Sequence, residues 1–99
     1  MSAEAPSRPA ASETTVPRFA AHVRLAFDRS RERWVVMAPE RLFVPDEIAA
    51  EILRRCDGKA SVGAIVDALA AEFDAPRGEI AADVQALVTE LREQGVLMP

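Results

Sequence analysis

The chain has 99 residues, which is enough for one small domain but not for two. Its 12 Lys and Arg against 16 Asp and Glu leave a net charge of −4, which argues against a general nucleic-acid binder because such proteins present basic surfaces. A single cysteine excludes an intramolecular disulfide and a multi-cysteine metal site, and a single histidine leaves little room for a histidine-based metal site, so we expect no metal. No apolar run is long enough for a membrane span or a signal peptide, and the expected compartment is the cytoplasm.

The composition predicts that the first 18 residues form a disordered tail and that residues 19–99 form a folded domain. The tail is rich in Ala, Ser, Thr, Pro and Glu, and Val16 is its only branched aliphatic residue. Such a segment cannot bury enough apolar surface to offset the entropy of the chain. The same composition suits an interdomain linker, so a further hypothesis is that this domain is a fragment of a larger protein and is attached to an enzyme.

Three strands are predicted in the first half of the domain. Residues 19–28 alternate between apolar and polar side chains, the pattern of a half-buried strand. A polar turn separates them from a second strand at residues 33–38. A Pro-Glu break then precedes a short third strand at residues 41–44. Pro45 ends this strand, because proline has no N–H to donate to a ladder.

Three helices are predicted to follow, each with apolar residues at helical spacing. Asp46 and Ser61 are the expected N-caps of the first two helices. Gly58 and Gly95 are expected to end the first and third. The order βββααα predicts an α+β fold, a three-stranded antiparallel sheet followed by a three-helix bundle, with the apolar chain end folded back onto the core. The apolar stripes are Ile48, Ile52, Leu53 and Cys56 in the first helix; Val62, Ile65, Val66, Leu69 and Phe73 in the second; and Ile80, Val84, Leu87, Val88 and Leu91 in the third.

The residue types that carry catalysis stand in positions that favour structural roles. His22 is on the polar face of the first predicted strand, with no second histidine to share a metal. Cys56 is on an apolar helix face, where a thiol behaves as a small hydrophobic group. Carboxylates fall on helix caps and outer faces, and there is no glycine-rich phosphate loop, so we do not expect an enzyme. Trp34 is expected to be a packing residue, with an exposed binding anchor as the alternative.

Charge is divided unevenly along the chain. Residues 24–41 carry five arginines against three acids, whereas residues 46–93 carry eleven acids against five basic residues. A helix that reads DNA needs cations, so the acidic helices disfavour a winged-helix DNA-binding regulator, which is the alternative hypothesis. The basic sheet would instead attract an acidic segment of a partner.

The short third strand is the most informative feature for function. It is expected at a sheet edge, where an extended peptide can add as a further strand. About four main-chain hydrogen bonds contribute roughly 2–6 kcal/mol, and ordering a disordered peptide costs about 2–5 kcal/mol, so apolar anchors in an adjacent groove are needed. The apolar stripe of the third helix is a candidate lining, although each of its residues also suits the core. The candidate peptide-binding residues are Arg41, Leu42, Phe43 and Val44 on the strand and Leu87, Val88 and Leu91 on the helix.

Several short motifs occur together in a fixed order. They are Trp34, Ala38-Pro39-Glu40, Ala50-Glu51-Ile52-Leu53, Cys56-Asp57-Gly58, Ile65-Val66, Ile80-Ala81-Ala82-Asp83-Val84 and Gly95-Val96-Leu97. In this order and spacing the chain resembles the PqqD family of pyrroloquinoline quinone (PQQ) biosynthesis over roughly residues 19–98.

The resemblance implies a winged-helix-like fold and a role without catalysis or cofactor. A member of this family binds the precursor peptide PqqA and presents it to the radical-SAM enzyme PqqE. In related recognition elements for ribosomally synthesised, modified peptides, the leader peptide adds beside the third strand in a cleft lined by a helix. That cleft is similar to the site inferred above. A monomer is the simpler expectation, and the short edge permits a strand-exchanged dimer.

Overall fold

The computed structural model describes residues 11–99, in which three strands precede three helices. The sheet is antiparallel with the strands in sequence order, as predicted. The α+β fold expected from the sequence is confirmed. The elements are β1 Arg24–Asp28, β2 Arg33–Ala38, β3 Arg41–Phe43, α1 Glu47–Leu53, α2 Val62–Phe73 and α3 Arg77–Glu93.

The sheet register places one row of side chains toward the helices. Val36 of β2 lies opposite Leu25 of β1 and Phe43 of β3, and Trp34 lies opposite Phe27. Residues directly opposite each other share a face of the sheet, and alternate residues of one strand share it too. Val36 is fully buried in the core, so this row is the inner face of the sheet.

β1 is shorter than its alternating pattern predicts, because the chain turns inside the predicted segment. His22 has a φ of 67°, a left-handed conformation that cannot continue a strand, and β1 starts only at Arg24. Phe19 forms an isolated antiparallel bridge with Leu97 instead. The first part of residues 19–28 therefore pairs with the end of the chain and not with β2.

The two predicted N-caps are confirmed. The Asp46 carboxylate accepts a hydrogen bond from the Ala49 N–H at 2.7 Å at the start of α1. The Ser61 hydroxyl accepts one from the Ala64 N–H at 3.1 Å at the start of α2. Each cap satisfies a helix N–H that has no partner within its own helix.

The two glycines expected to end helices behave differently. Gly95, with a φ of 80°, follows the last turn of α3 as predicted. Gly58 also has a positive φ, but α1 has already ended at Leu53. Gly58 donates its N–H to the Pro17 carbonyl at 3.0 Å, and a Cβ there would lie 3.3 Å from the Cβ of Arg18. Gly58 therefore permits a close approach by the N-terminal segment and does not cap α1.

Residues 11–18 differ from the disordered tail predicted for residues 1–18. Ala11 and Pro17 are buried, and the Ala11 N–H donates to the Thr89 hydroxyl of α3 at 3.0 Å. The prediction is therefore wrong for residues 11–18, while residues 1–10 lie outside the described part of the chain.

Backbone hydrogen bonds hold this segment where apolar content does not. The first N–H groups of α2, from Val62 and Gly63, donate to the carbonyls of Thr15 and Glu13 at 2.7 and 2.9 Å. A composition argument misses this attachment, because the partners are main-chain groups that any sequence carries.

A charged clamp reinforces the same attachment. The Arg77 guanidinium donates to both carboxylate oxygens of Glu13, at 2.8 and 2.9 Å, and to Asp67 at 2.6 Å. Hydrogen bonding from Arg77 is the main cause that lowers the pKa of Glu13. The clamp therefore joins the N-terminal segment to α2 and α3 while Glu13 is ionised.

We predict that acid weakens the attachment of residues 11–18 to α2. Because the pKa of Glu13 is lowered by folding, its contribution is present above the ordinary glutamate pKa of about 4.3 and is lost as the pH falls through the lowered value. Hydrogen-exchange protection of the Gly63 N–H should fall over that range. In the Glu13→Gln variant, protection of the Gly63 N–H should already be lower at neutral pH, and it should no longer change over that acid range. An identical pH response in both proteins would contradict this assignment.

The core lies between the inner face of the sheet and the helices, and the chain end closes it. Val96 and Leu97 fold back and are buried, as predicted, whereas Met98 is partly exposed. Most residues of the apolar helix stripes are buried. Two are exposed, contrary to prediction: Ile48 in the first turn of α1 and Phe73 at the end of α2. The buried core residues include Val36, Ile52, Leu53, Cys56, Val62, Ile65, Val66, Leu69, Val84, Val88, Leu91, Val96 and Leu97.

Two adjacent substitutions test the closure of the core. Leu97→Ala should reduce the free energy of unfolding by about 2–5 kcal/mol, because it leaves a cavity at a buried site. Met98→Ala should change it by less than about 0.5 kcal/mol. Chemical denaturation of both variants measures the difference, and equal effects would contradict the burial of Leu97 and the exposure of Met98.

Candidate functional site

β3 lies at the edge of the sheet and pairs only with β2 among the described strands. Its other edge therefore presents main-chain N–H and C=O groups without a strand partner. Leu42 lies opposite Met37 on the outer face of the sheet and is 60% exposed. Phe43 is on the inner face and packs, half-buried, against the core. Val44, just past the strand end, is also exposed.

Each end of β3 is related to a different part of α3. The Arg41 guanidinium, at the start of β3, donates to the Gln94 carbonyl at the end of α3 at 3.2 Å. At the other end, Pro45 lines the same cavity as Asp83, near the middle of α3. Leu87 shares a helix face with Asp83 and Gln94, because residues four and seven apart lie on one face. We call the space between residues 41–44 and Leu87 the β3–α3 cleft.

The structure separates the three helix residues predicted to line this cleft. Leu87 is half-buried at the margin of the core and retains accessible surface. Val88 and Leu91 are 0% and 4% exposed and belong to the core. This corrects the expectation that all three contact a peptide. Neighbouring positions on a helix point in different directions, and the tertiary packing decides which of them face inward.

A second concavity lies beyond the end of β3. It has a volume of about 760 Å³ and is lined by residues of β1, β2, α1, α2 and α3. We call it the apolar groove. Its large apolar lining residues are Phe27, Trp34, Pro45, Ile48, Leu69, Phe73 and Ile80.

The apolar groove exists because β3 is shorter than β2. The pairing of β3 covers Val36 to Ala38 of β2, so the first residues of β2 have only β1 as a neighbour. Trp34 in this uncovered part packs edge-to-face on Phe27, with ring centroids 5.1 Å apart. The Arg54 guanidinium lies over the Trp34 ring at 5.2 Å from its centroid.

Sequence reasoning missed this groove. It assigned Ile48 and Phe73 to the core by their helical spacing, and it assigned Trp34 to packing. The early stop of the third strand before Pro45 is the signal that could have revealed the groove. Where two paired strands extend beyond the end of a third, the side chains on their inner face are left uncovered.

The candidate nucleophile and base are not placed for catalysis. His22 is exposed in a turn, and the buried Cys56 thiol donates to the Ile52 carbonyl at 3.4 Å. Burial raises the pKa of Cys56 to about 12, so its thiolate is scarce at neutral pH. Within residues 11–99, no cluster of three or more His, Cys, Asp or Glu could hold a metal ion. None of the described helices is long and apolar enough to cross a membrane.

We predict that Cys56 is unreactive in the folded chain. Because its pKa is raised, reaction with an aromatic disulfide reagent at pH 8 should be at least about a hundredfold slower than in the guanidinium-unfolded chain. Absorbance of the released thiolate measures both rates. Comparable rates in the two states would contradict the burial of the thiol.

Comparison with protein-family models and curated proteins identifies the relatives of the chain. The model of Coenzyme PQQ synthesis protein D (PqqD) matches residues 33–97. The PqqA binding protein of Rhodopseudomonas palustris is 53% identical over 93 residues, which cover 94% of this chain and 91% of that protein. The PqqA binding protein of Gluconobacter oxydans is 54% identical over 86 residues, which cover 87% and 90%. These names give no support to a DNA-binding regulator.

Solved structures agree with this assignment. One match is the solution structure of the PqqD truncation of Methylobacterium extorquens PqqCD, which is described as a functional and stand-alone recognition element for ribosomally synthesised, modified peptides. It has a TM-score of 0.78 at 37% identity, and the match covers 91% of this chain and 96% of that one. Lasso peptide synthetase B1, solved with its leader peptide, matches with a TM-score of 0.74 at 23% identity over 86% and 100%, which shows a common fold. The crystal structure of Xanthomonas campestris PqqD is 44% identical, with a TM-score of 0.54 over 84% and 92%. The chain belongs to the PqqD family.

Proposed function

We propose that the chain is a non-catalytic peptide chaperone of PQQ biosynthesis that binds the precursor peptide PqqA as an added strand on β3. The observation that carries the proposal is the outer edge of β3, which has no strand partner among residues 11–99 and is linked to the end of α3 through Arg41. The names of the curated relatives support the choice of peptide, because they are PqqA binding proteins.

The energetics of strand addition require contacts beyond the backbone. A strand of three residues offers roughly three hydrogen bonds, worth about 1.5–4.5 kcal/mol, against about 2–5 kcal/mol for ordering the peptide. Side-chain contacts must therefore supply the net affinity. On the outer face, Leu42 and Val44 are exposed and can pack against alternate peptide residues. The intervening peptide residues point to the other face, where they can contact Phe43 of β3 and Leu87 of α3.

The charge at one end of the cleft adds orientation. Arg41 is exposed at the start of β3, and its guanidinium reaches α3 through Gln94. A peptide carboxylate near this end would gain a favourable electrostatic interaction. We therefore expect an acidic residue of the peptide to lie close to Arg41.

Presentation of the bound peptide to the radical-SAM enzyme PqqE is the second part of the proposal. Residues of the peptide beyond its bound segment remain accessible, so a second protein can approach them. The chain acts as a monomer in this scheme. A second copy that paired through β3 would occupy the edge that the peptide needs, so dimer formation and peptide binding would compete.

Titration of PqqA into the ¹⁵N-labelled chain tests the proposal. The amide signals of residues 41–44 should shift at tens of micromolar peptide. Leu42→Asp should weaken binding roughly two- to fivefold, because a cross-strand apolar pair contributes up to about 1 kcal/mol. Val16→Asp, at another exposed apolar position, is the matched control and should leave the affinity unchanged. Absence of any shift in residues 41–44, or equal affinities of the two variants, would reject the proposed edge.

A further inference from the structure

The apolar groove is an exposed hydrophobic concavity that strand addition on β3 leaves unused. Phe27, Ile48 and Phe73 are 47%, 65% and 52% exposed around it, and Trp34 forms part of its wall. Contiguous exposed apolar surface of this kind marks an interaction site more often than single scattered residues do. Its position at the far end of the β3–α3 cleft indicates what it binds.

The groove continues the path of an added strand. Pro45, two residues past the end of β3, belongs to its lining, as does Asp83 on the same face of α3 as Leu87. A peptide paired with β3 and leaving the strand at the Phe43 end therefore enters the groove. An extended chain advances about 3.3 Å per residue, so its next few residues are within reach.

The rim of the groove carries mainly negative charge. Five carboxylates line it, from Glu32, Asp46, Glu47, Glu51 and Asp83, against the guanidinium of Arg33, while the Arg54 guanidinium lies over the Trp34 ring of its wall. Glu51 is paired with Arg54 and Arg55, and Asp46 caps α1. Within residues 11–99, Glu32, Glu47 and Asp83 make no ion pair, so they are available to a cation. An apolar floor under an acidic rim fits a large apolar side chain beside Lys or Arg.

We propose that the apolar groove binds the part of the peptide that continues past its β3-paired segment, and that this part carries a large apolar side chain next to a Lys or Arg. The inference rests on the proposed function, because the paired segment delivers the next residues to the groove. The two ends of the peptide path then differ in charge, with Arg41 at one end and the acidic rim at the other, and this difference sets the direction of the bound peptide.

The single tryptophan of the chain provides a direct readout. The indole N–H signal of ¹⁵N-labelled Trp34 is unique, whatever residues the unlabelled peptide contains. On titration with PqqA it should shift with the same apparent Kd as the amides of residues 41–44. If the edge amides shift while the indole signal stays in place, the groove is empty in the complex and this inference fails, although the proposed function stands.

Exposed apolar substitutions test the floor of the groove without disturbing the core. Ile48→Ser and Phe73→Ser should each weaken PqqA binding about tenfold, the loss expected for one well-buried apolar contact. Val16→Ser is the matched control, because Val16 is similarly exposed and lies outside the groove lining. Full affinity in both groove variants would overturn the inference even if the indole signal shifts.

Charge reversal tests the rim. Asp83→Lys should weaken binding several-fold at low ionic strength, and the loss should shrink as salt is raised, because exposed charges are screened. Glu93→Lys, an exposed position about 15 Å further along α3 and outside the groove lining, should have little effect. Equal effects of the two variants would show that the rim does not select a cation.

Two further results would assign a different occupant to the groove or leave it without one. Self-association that depends on Ile48 and Phe73, measured by sedimentation without peptide, would assign the groove to a second copy and reject a peptide segment. Absence of PqqA binding to either the edge or the groove would reject the proposed function and this inference together.

Discussion

The short pairing of β3 with β2 is the constraint on which both candidate binding surfaces depend. β3 has three residues and stops before Pro45, whereas β2 has six. Within residues 11–99, the outer side of β3 has no strand partner, which leaves an edge for an added strand. The uncovered start of β2 leaves Trp34 and Phe27 without a third strand beside them, which opens the apolar groove. One local backbone restriction thus creates a continuous path along β3 and beyond it.

The rest of the structure packs away from the proposed path. Val88 and Leu91 fix α3 on the core, so Leu87 is held at the margin of the cleft. The chain end closes the core with Val96 and Leu97. Residues 11–18 attach to the N-terminus of α2 and to α3 through Thr89, away from the face of α3 that carries Leu87. The parts added around the central fold therefore stabilise it without occupying the cleft.

The shifted pKa values have local structural causes away from the cleft and the groove. Hydrogen bonds between Glu13 and Arg77 shift the pKa values of both groups. Asp28 has a lowered pKa because it accepts hydrogen bonds from Ser30 and Arg31, Asp57 because it accepts backbone hydrogen bonds from Ala60 and Lys59, and burial raises the pKa of Cys56. None of them lines the cleft or the groove. Arg41 and the acidic rim leave opposite charges at the two ends of the path, a pattern suited to orienting a bound chain.

The sequence by itself determined the order of the elements, both N-caps, the second strand to the residue and the position of the third strand before Pro45. These features depend on local backbone chemistry and on short-range periodicity, which a sequence carries directly. Only the tertiary structure decided that Leu87 is accessible while Val88 is buried, that Ile48 and Phe73 face a groove, and that residues 11–18 are attached. Those outcomes depend on which distant surfaces meet and on main-chain hydrogen bonds, and neither is specified by the side-chain pattern of one segment.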